Sequence, residues 1–196
     1  KFSRASYLAG LMRPDVVREL GLEKHGFEYI PRDVSSFTPT LMNGPNEGKH
    51  LFMGIDEEMT RKSIAQFSER DADALSEYET FLDGVREVIQ PLLNGAPPQN
   101  PLSARNGRES LRAMSQLVSL GRAASRHREI LVPLYELITG PASHILDRYF
   151  DGEVLKTTLA CDAVIGAMVS PRQAGSAYVL LHHVMGEGMY LFHWIV

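Results

Sequence analysis

Between Ser68 and Asn94 the apolar residues recur with a helical period. Leu75, Tyr78, Leu82, Val85, Ile89 and Leu92 share one stripe, and Glu77, Glu79, Asp83 and Glu87 fall outside it. A stripe of this kind needs a core to face, and a hydrophobic content of 44% is enough to build one. Ser68, followed three residues later by Asp71, makes a capping-box-like start, and Pro91 is expected to end or kink the helix.

The flanking segments read as follows. In the first fifty-five residues, Phe2 to Leu8, Phe27 to Ile30 and Leu51 to Ile55 read as strands, the last after an Asn43-Gly44-Pro45-Asn46 turn. Pro14 to Leu20 reads as a short helix closed by Gly21, and Asp56 can cap a helix running to about Phe67. Asn94 to Pro101 reads as a loop. Helices are expected over Glu109 to Gly121, Arg126 to Thr139 with a kink or late start at Pro133, and Pro141 to Phe150 with the proline in its first turn. Val154 to Met168 is apolar nearly all round and reads as a buried helix, and Ala177 to Met185 reads as a helix or a strand, with helix the preferred reading. The fold class is α+β, predominantly helical.

Charge and motifs narrow the function. The net charge of -4 comes from interspersed charges, with no basic face to neutralise phosphates, so nucleic acid is not an expected partner. A single cysteine, Cys161, excludes an internal disulfide and a cysteine-based zinc cluster; amid apolar neighbours it reads as a packing residue. No apolar run reaches about 18 residues, so no transmembrane helix is expected. A glycine-rich phosphate turn between a strand and a helix is absent, and Gly186-Glu187-Gly188 lacks the third glycine. His182 and His183 are adjacent, which on a helix aims their rings about 100° apart and makes joint ligation of one metal awkward. No metal site is expected; packing and hydrogen bonding are the commoner uses of such histidines, and a flavin- or substrate-facing role is the sharper one. Ser176 lacks the strand and glycine spacing of a nucleophile elbow.

Several blocks together resemble the FAD-dependent flavoproteins related to phytoene dehydrogenase. They are Phe2 to Leu8 with Leu11-Met12-Arg13-Pro14, Ser36-Phe37-Thr38-Pro39, Ile64 to Ser68, Leu159 to Met168 and Gly175 to Gly186. The resemblance implies the cap, or substrate-side portion, of a two-domain oxidoreductase fold without its nucleotide-binding βαβ unit. Residues 1–55 would be short strands and turns adjoining the FAD domain, 56–186 a helical substrate cap, and 187–196 a tail diverging from the family. It further implies FAD as cofactor and a mitochondrial matrix location. By family geometry Arg4, Ser6 and Tyr7 would pass near the flavin, and His182 and His183 would be substrate-side. The chain is expected to be a fragment, inactive alone, of a parent enzyme acting on an unknown small molecule. A non-catalytic helical module docking to a partner such as a respiratory-chain protein is the alternative.

Overall fold

The computed structural model describes residues 12, 14–28, 30–31, 33–94, 100, 106–126, 128–185 and 193–194; for 30–31, 90–94, 123, 183–184 and 193–194 only the backbone is described. The chain divides into two compact units, Lys1–Tyr78 with Leu137–Val196, and Glu79–Glu136.

The first unit begins with α1 (Pro14–Leu20), where the proline opens the helix and Gly21, at φ 59°, closes it as expected. A short 3-10 turn (Leu22–His25) follows. The strand expected over Phe27 to Ile30 is reduced to β1 (Ile30–Pro31), paired antiparallel with β4 (His193–Trp194). Pro31 has no amide to donate, which limits how far a ladder can extend. The expected Phe2 to Leu8 strand lies outside the described residues.

A second antiparallel pair joins β2 (Val34–Pro39) to β3 (His50–Gly54) in the register Phe37 to Phe52 and Thr38 to Leu51, with an irregularity at Ser35. There the Ser35 hydroxyl donates to the Met53 carbonyl at 2.8 Å. Alternation turns Leu51 and Met53 inward, where both are buried. Helix α2 (Glu57–Ala65) covers the other edge of β3 with hydroxyls instead of a third strand. The Phe52 amide donates to Ser63 Oγ at 2.7 Å and the Gly54 amide to Thr60 Oγ1 at 3.1 Å. Both hydroxyl residues are buried, so the strand's free amides are satisfied away from water. Gly54 is required by space: a Cβ there would lie 2.0 Å from the Asp33 carbonyl oxygen. Asp56 caps α2 by accepting from the Met59 amide at 2.9 Å.

Helix α3 (Glu69–Asn94) crosses from the first unit into the second. It continues through Pro91 to Asn94, so the proline does not end it at that point; a proline keeps a helical φ while removing one amide donor. Tyr78, Leu82 and Val85 are buried, with Phe81 and Val88 beside them, while Glu77, Asp83 and Glu87 are exposed. The Asn94 to Pro101 loop falls largely outside the described residues.

In the second unit, α4 (Gly107–Arg126) is longer at both ends than its periodicity predicts. Asn106 and Glu109 form a reciprocal cap: the Glu109 amide donates to Asn106 Oδ1 at 2.9 Å and Asn106 Nδ2 to Glu109 Oε1 at 3.2 Å. The helix expected from Arg126 is a 3-10 turn (Arg128–Ile130) followed by α5 (Leu131–Thr139), which starts late with Pro133 in its first turn and passes into the first unit at Leu137.

The remainder of the first unit holds α6 (Ala142–Tyr149), α7 (Glu153–Ala160) and α8 (Ser176–Val184). Pro141 stands one place earlier than expected, as the N-cap of α6. Ile145, Leu146, Phe150, Leu155, Leu180 and Leu181 are all buried in this unit, and Tyr78 meets Tyr149 and Phe150 edge-on, both at 5.3 Å between centroids. The continuous buried helix expected from Val154 to Met168 is not formed. The α-helix stops at Ala160, a 3-10 turn covers Cys161–Ala163, and the chain then turns through Gly166 at φ 76° and Met168 at φ 52°, which is 99% exposed. Cys161 is exposed, not packed, and its Sγ donates to the Thr157 carbonyl at 3.5 Å. Small residues at Ala163, Gly166 and Ala167 gave the apolar run its all-round character, but they contribute little buried area to hold a helix.

Candidate functional site

The strongest polar constellation in the first unit centres on Asp71, whose side chain is 1% exposed. Its backbone amide donates to Ser68 Oγ at 3.1 Å, half of the expected capping box. Its carboxylate does not reach back to the start of its own helix. Instead Oδ1 accepts from the Asp151 amide at 2.9 Å and Oδ2 from the Gly152 amide at 2.7 Å. Gly152 is the N-cap of α7, so one carboxylate near the start of α3 satisfies donors at the start of another helix, where the helix dipole also favours negative charge. A Cβ on Gly152 would lie 2.6 Å from Asp71 Oδ2, so the glycine makes room for the acid. Arg70 pairs with Asp151 on the exposed side of the same junction, and that pairing raises the Arg70 pKa.

Ser176 acts the same way at the start of α8. It is buried, accepts from the Ala142 amide at 2.9 Å and donates to the Pro171 carbonyl at 2.9 Å. Its hydroxyl is thereby committed to holding the Pro171 turn against α6. Thr38 and Thr158 share a hydrogen bond of 2.8 Å that ties β2 to α7. These contacts tie the β2–β3 pair and four helices of the first unit together and form no proton-transfer pair.

On the outward face of β2 and β3 an aromatic group is exposed. Phe37, 57% exposed, lies 5.1 Å from Phe52 and 5.9 Å from His50, and the His50 and Phe52 rings meet edge-on at 4.7 Å. Sequence reasoning did not single out this group; a strand at Val34–Pro39 opposite Leu51 to Ile55 was the signal that would have found it.

Of the residues expected to contact cofactor or substrate, Arg4, Ser6 and Tyr7 lie outside the described residues. His182 is exposed on α8, and the His183 side chain is not described. Among the described residues no group of three His, Cys, Asp or Glu side chains is placed to hold a metal ion, and no helix is long and apolar enough to cross a membrane.

The same residues can be tested against the pyrophosphate of FAD. The tightest strand-to-helix connection among them is Gly54-Ile55-Asp56 between β3 and α2. Its helix start carries Asp56, Glu57 and Glu58, and the Asp56 carboxylate already occupies the Met59 amide. Those acids repel a phosphate where a dinucleotide site needs free amides. The start of α2 therefore does not fit the phosphate half of FAD.

What fold and polar junctions together define is an α+β, predominantly helical scaffold. The chain is similar to the rat protein named pyridine nucleotide-disulfide oxidoreductase domain-containing protein 2, with 46% identity over 194 residues, 96% of this chain and 33% of the rat protein. The mouse protein of the same name is 46% identical over 190 residues, 95% of this chain and 33% of that protein. The chain thus spans about a third of the length of the curated relatives it matches. No family model matches, and no solved structure matches. The relatives' names support an oxidoreductase-type piece.

Proposed function

We propose that this chain is the substrate-side part of an FAD-dependent oxidoreductase of the phytoene dehydrogenase-related type, acting on a small molecule in the mitochondrion. The observation that carries the reading is the 46% identity running over 96% of the chain to a relative named for an oxidoreductase domain. In such enzymes the isoalloxazine supplies the redox chemistry and the protein supplies binding and orientation. The phosphate cradle is assigned to the part of the longer protein that this chain does not match, in keeping with the acidic start of α2. The role of this chain is then to wall the substrate space, exclude water and hold its helices in register through Asp71 and Ser176. Arg4, Ser6 and Tyr7 are the residues assigned to the flavin side, and His182 and His183 to the substrate side.

Replacing the matched stretch of the rat relative by this chain tests the reading. The chimaera is expected to purify with the flavin bands of its parent, near about 370 and 450 nm. A chimaera with native-like circular dichroism but no bound flavin, beside a flavin-containing parent, contradicts it.

A further inference from the structure

Helix α4 carries an outward face that the oxidoreductase reading does not use. At about 100° per residue, Arg108, Arg112, Arg122 and Arg126 fall within an arc of roughly 80°. All four are exposed, and none makes an ion pair among the described residues. Arginines spaced along the sequence are thus gathered by the helix onto one side, a local basic face that overall charge does not reveal. Immediately beside this arc stand Leu111, Met114 and Val118, 74%, 56% and 48% exposed, while Ala113 on the far side of the helix is buried. The single acid of the helix, Glu109, lies away from both arcs.

We propose that this face of α4 docks on the surface of an anionic lipid bilayer. An interfacial helix needs exposed apolar side chains that enter the acyl boundary, flanked by long cationic side chains that reach lipid phosphates, and α4 presents both side by side. The charge complementarity is with lipid headgroups: four unpaired guanidiniums meet a negative plane. A second copy of the chain is disfavoured as occupant, because pairing this face with itself sets arginine arc against arginine arc. A nucleic acid would use the arginines but leave Leu111, Met114 and Val118 without a role. The helix lies along the surface and does not insert across it, since among the described residues no helix is long and apolar enough to cross a membrane.

Vesicle co-sedimentation of the whole 196-residue chain tests this, with phosphatidylcholine alone against phosphatidylcholine containing about 30% phosphatidylglycerol. Binding is expected only to the anionic vesicles and is expected to weaken as NaCl approaches about 0.5 M. The double variant R112Q/R122Q should reduce partitioning roughly 25-fold at low salt, about fivefold for each arginine. M114S/V118S should reduce it as well, with the arginines intact. All four positions are exposed, so circular dichroism should be unchanged, and that measurement confirms folded variants. Equal binding to neutral vesicles, no binding, or binding indifferent to both variants overturns the proposal. So does a concentration-dependent dimer abolished by M114S/V118S without vesicle binding, which would make the face a contact between copies. Binding to a single-stranded oligonucleotide in preference to anionic vesicles overturns it too.

Discussion

At the scale of single residues, Asp71 bears the heaviest structural role. Hydrogen bonds to an ionised group contribute about 1.5–3 kcal/mol each, and removing the carboxylate leaves two amides at the start of α7 without their acceptor. Asp71→Ala is expected to lower stability by about 3 kcal/mol in urea unfolding, and Asp71→Asn, which keeps one acceptor oxygen, by less. Gly152→Ala should act in the same direction, because its methyl displaces the same carboxylate. If the alanine and asparagine variants unfold at the wild-type midpoint, the carboxylate is not the junction it is taken to be. Ser176→Ala should cost about 1–3 kcal/mol by stranding the Ala142 amide and the Pro171 carbonyl.

At the scale of elements, local signals and long-range ones were unequally legible. The stripe of α3, the Asp56 cap of α2 and the proline and glycine bracketing α1 are all written within a few neighbouring residues, and each stands where the sequence places it. Strand β2 was missed because Val34–Pro39 has no clear alternation; it forms by pairing with β3 and by the α2 hydroxyls that complete that pair. The partners of Asp71 are about eighty positions away, so its spacing from Ser68 showed a cap but not the second helix it serves. The apolar run from Val154 misled for the opposite reason: alanine and glycine count as apolar yet bury little, and the helix ends at Ala160. Helix α4 offers an element-level test, since its Asn106 cap was not anticipated either. Asn106→Ala should cost about 1 kcal/mol. It should also speed amide exchange in the first turn of α4 while leaving α6 to α8 unchanged; uniform change across all helices would contradict a local cap.

At the scale of the whole molecule, stability should fall on the alkaline side. The Tyr149 pKa is raised from its usual 10.0, chiefly by burial, with Arg148 opposing and Glu77 adding. The Lys156 pKa is raised from 10.5 by its hydrogen bonds to Asp147 and then Glu153. A raised folded-state pKa contributes stability that is complete below the unfolded value and lost as pH rises through the folded one. Urea midpoints should therefore be steady up to about pH 10 and decline beyond it, and Tyr149→Phe should flatten part of that decline. The central proposal, that this α+β scaffold is the substrate side of a flavoenzyme and does not hold FAD by itself, is tested most directly by gel filtration of the 196-residue chain after incubation with FAD. The account predicts that the flavin elutes apart from the protein; flavin bands near about 370 and 450 nm travelling with the protein in equimolar amount would contradict it.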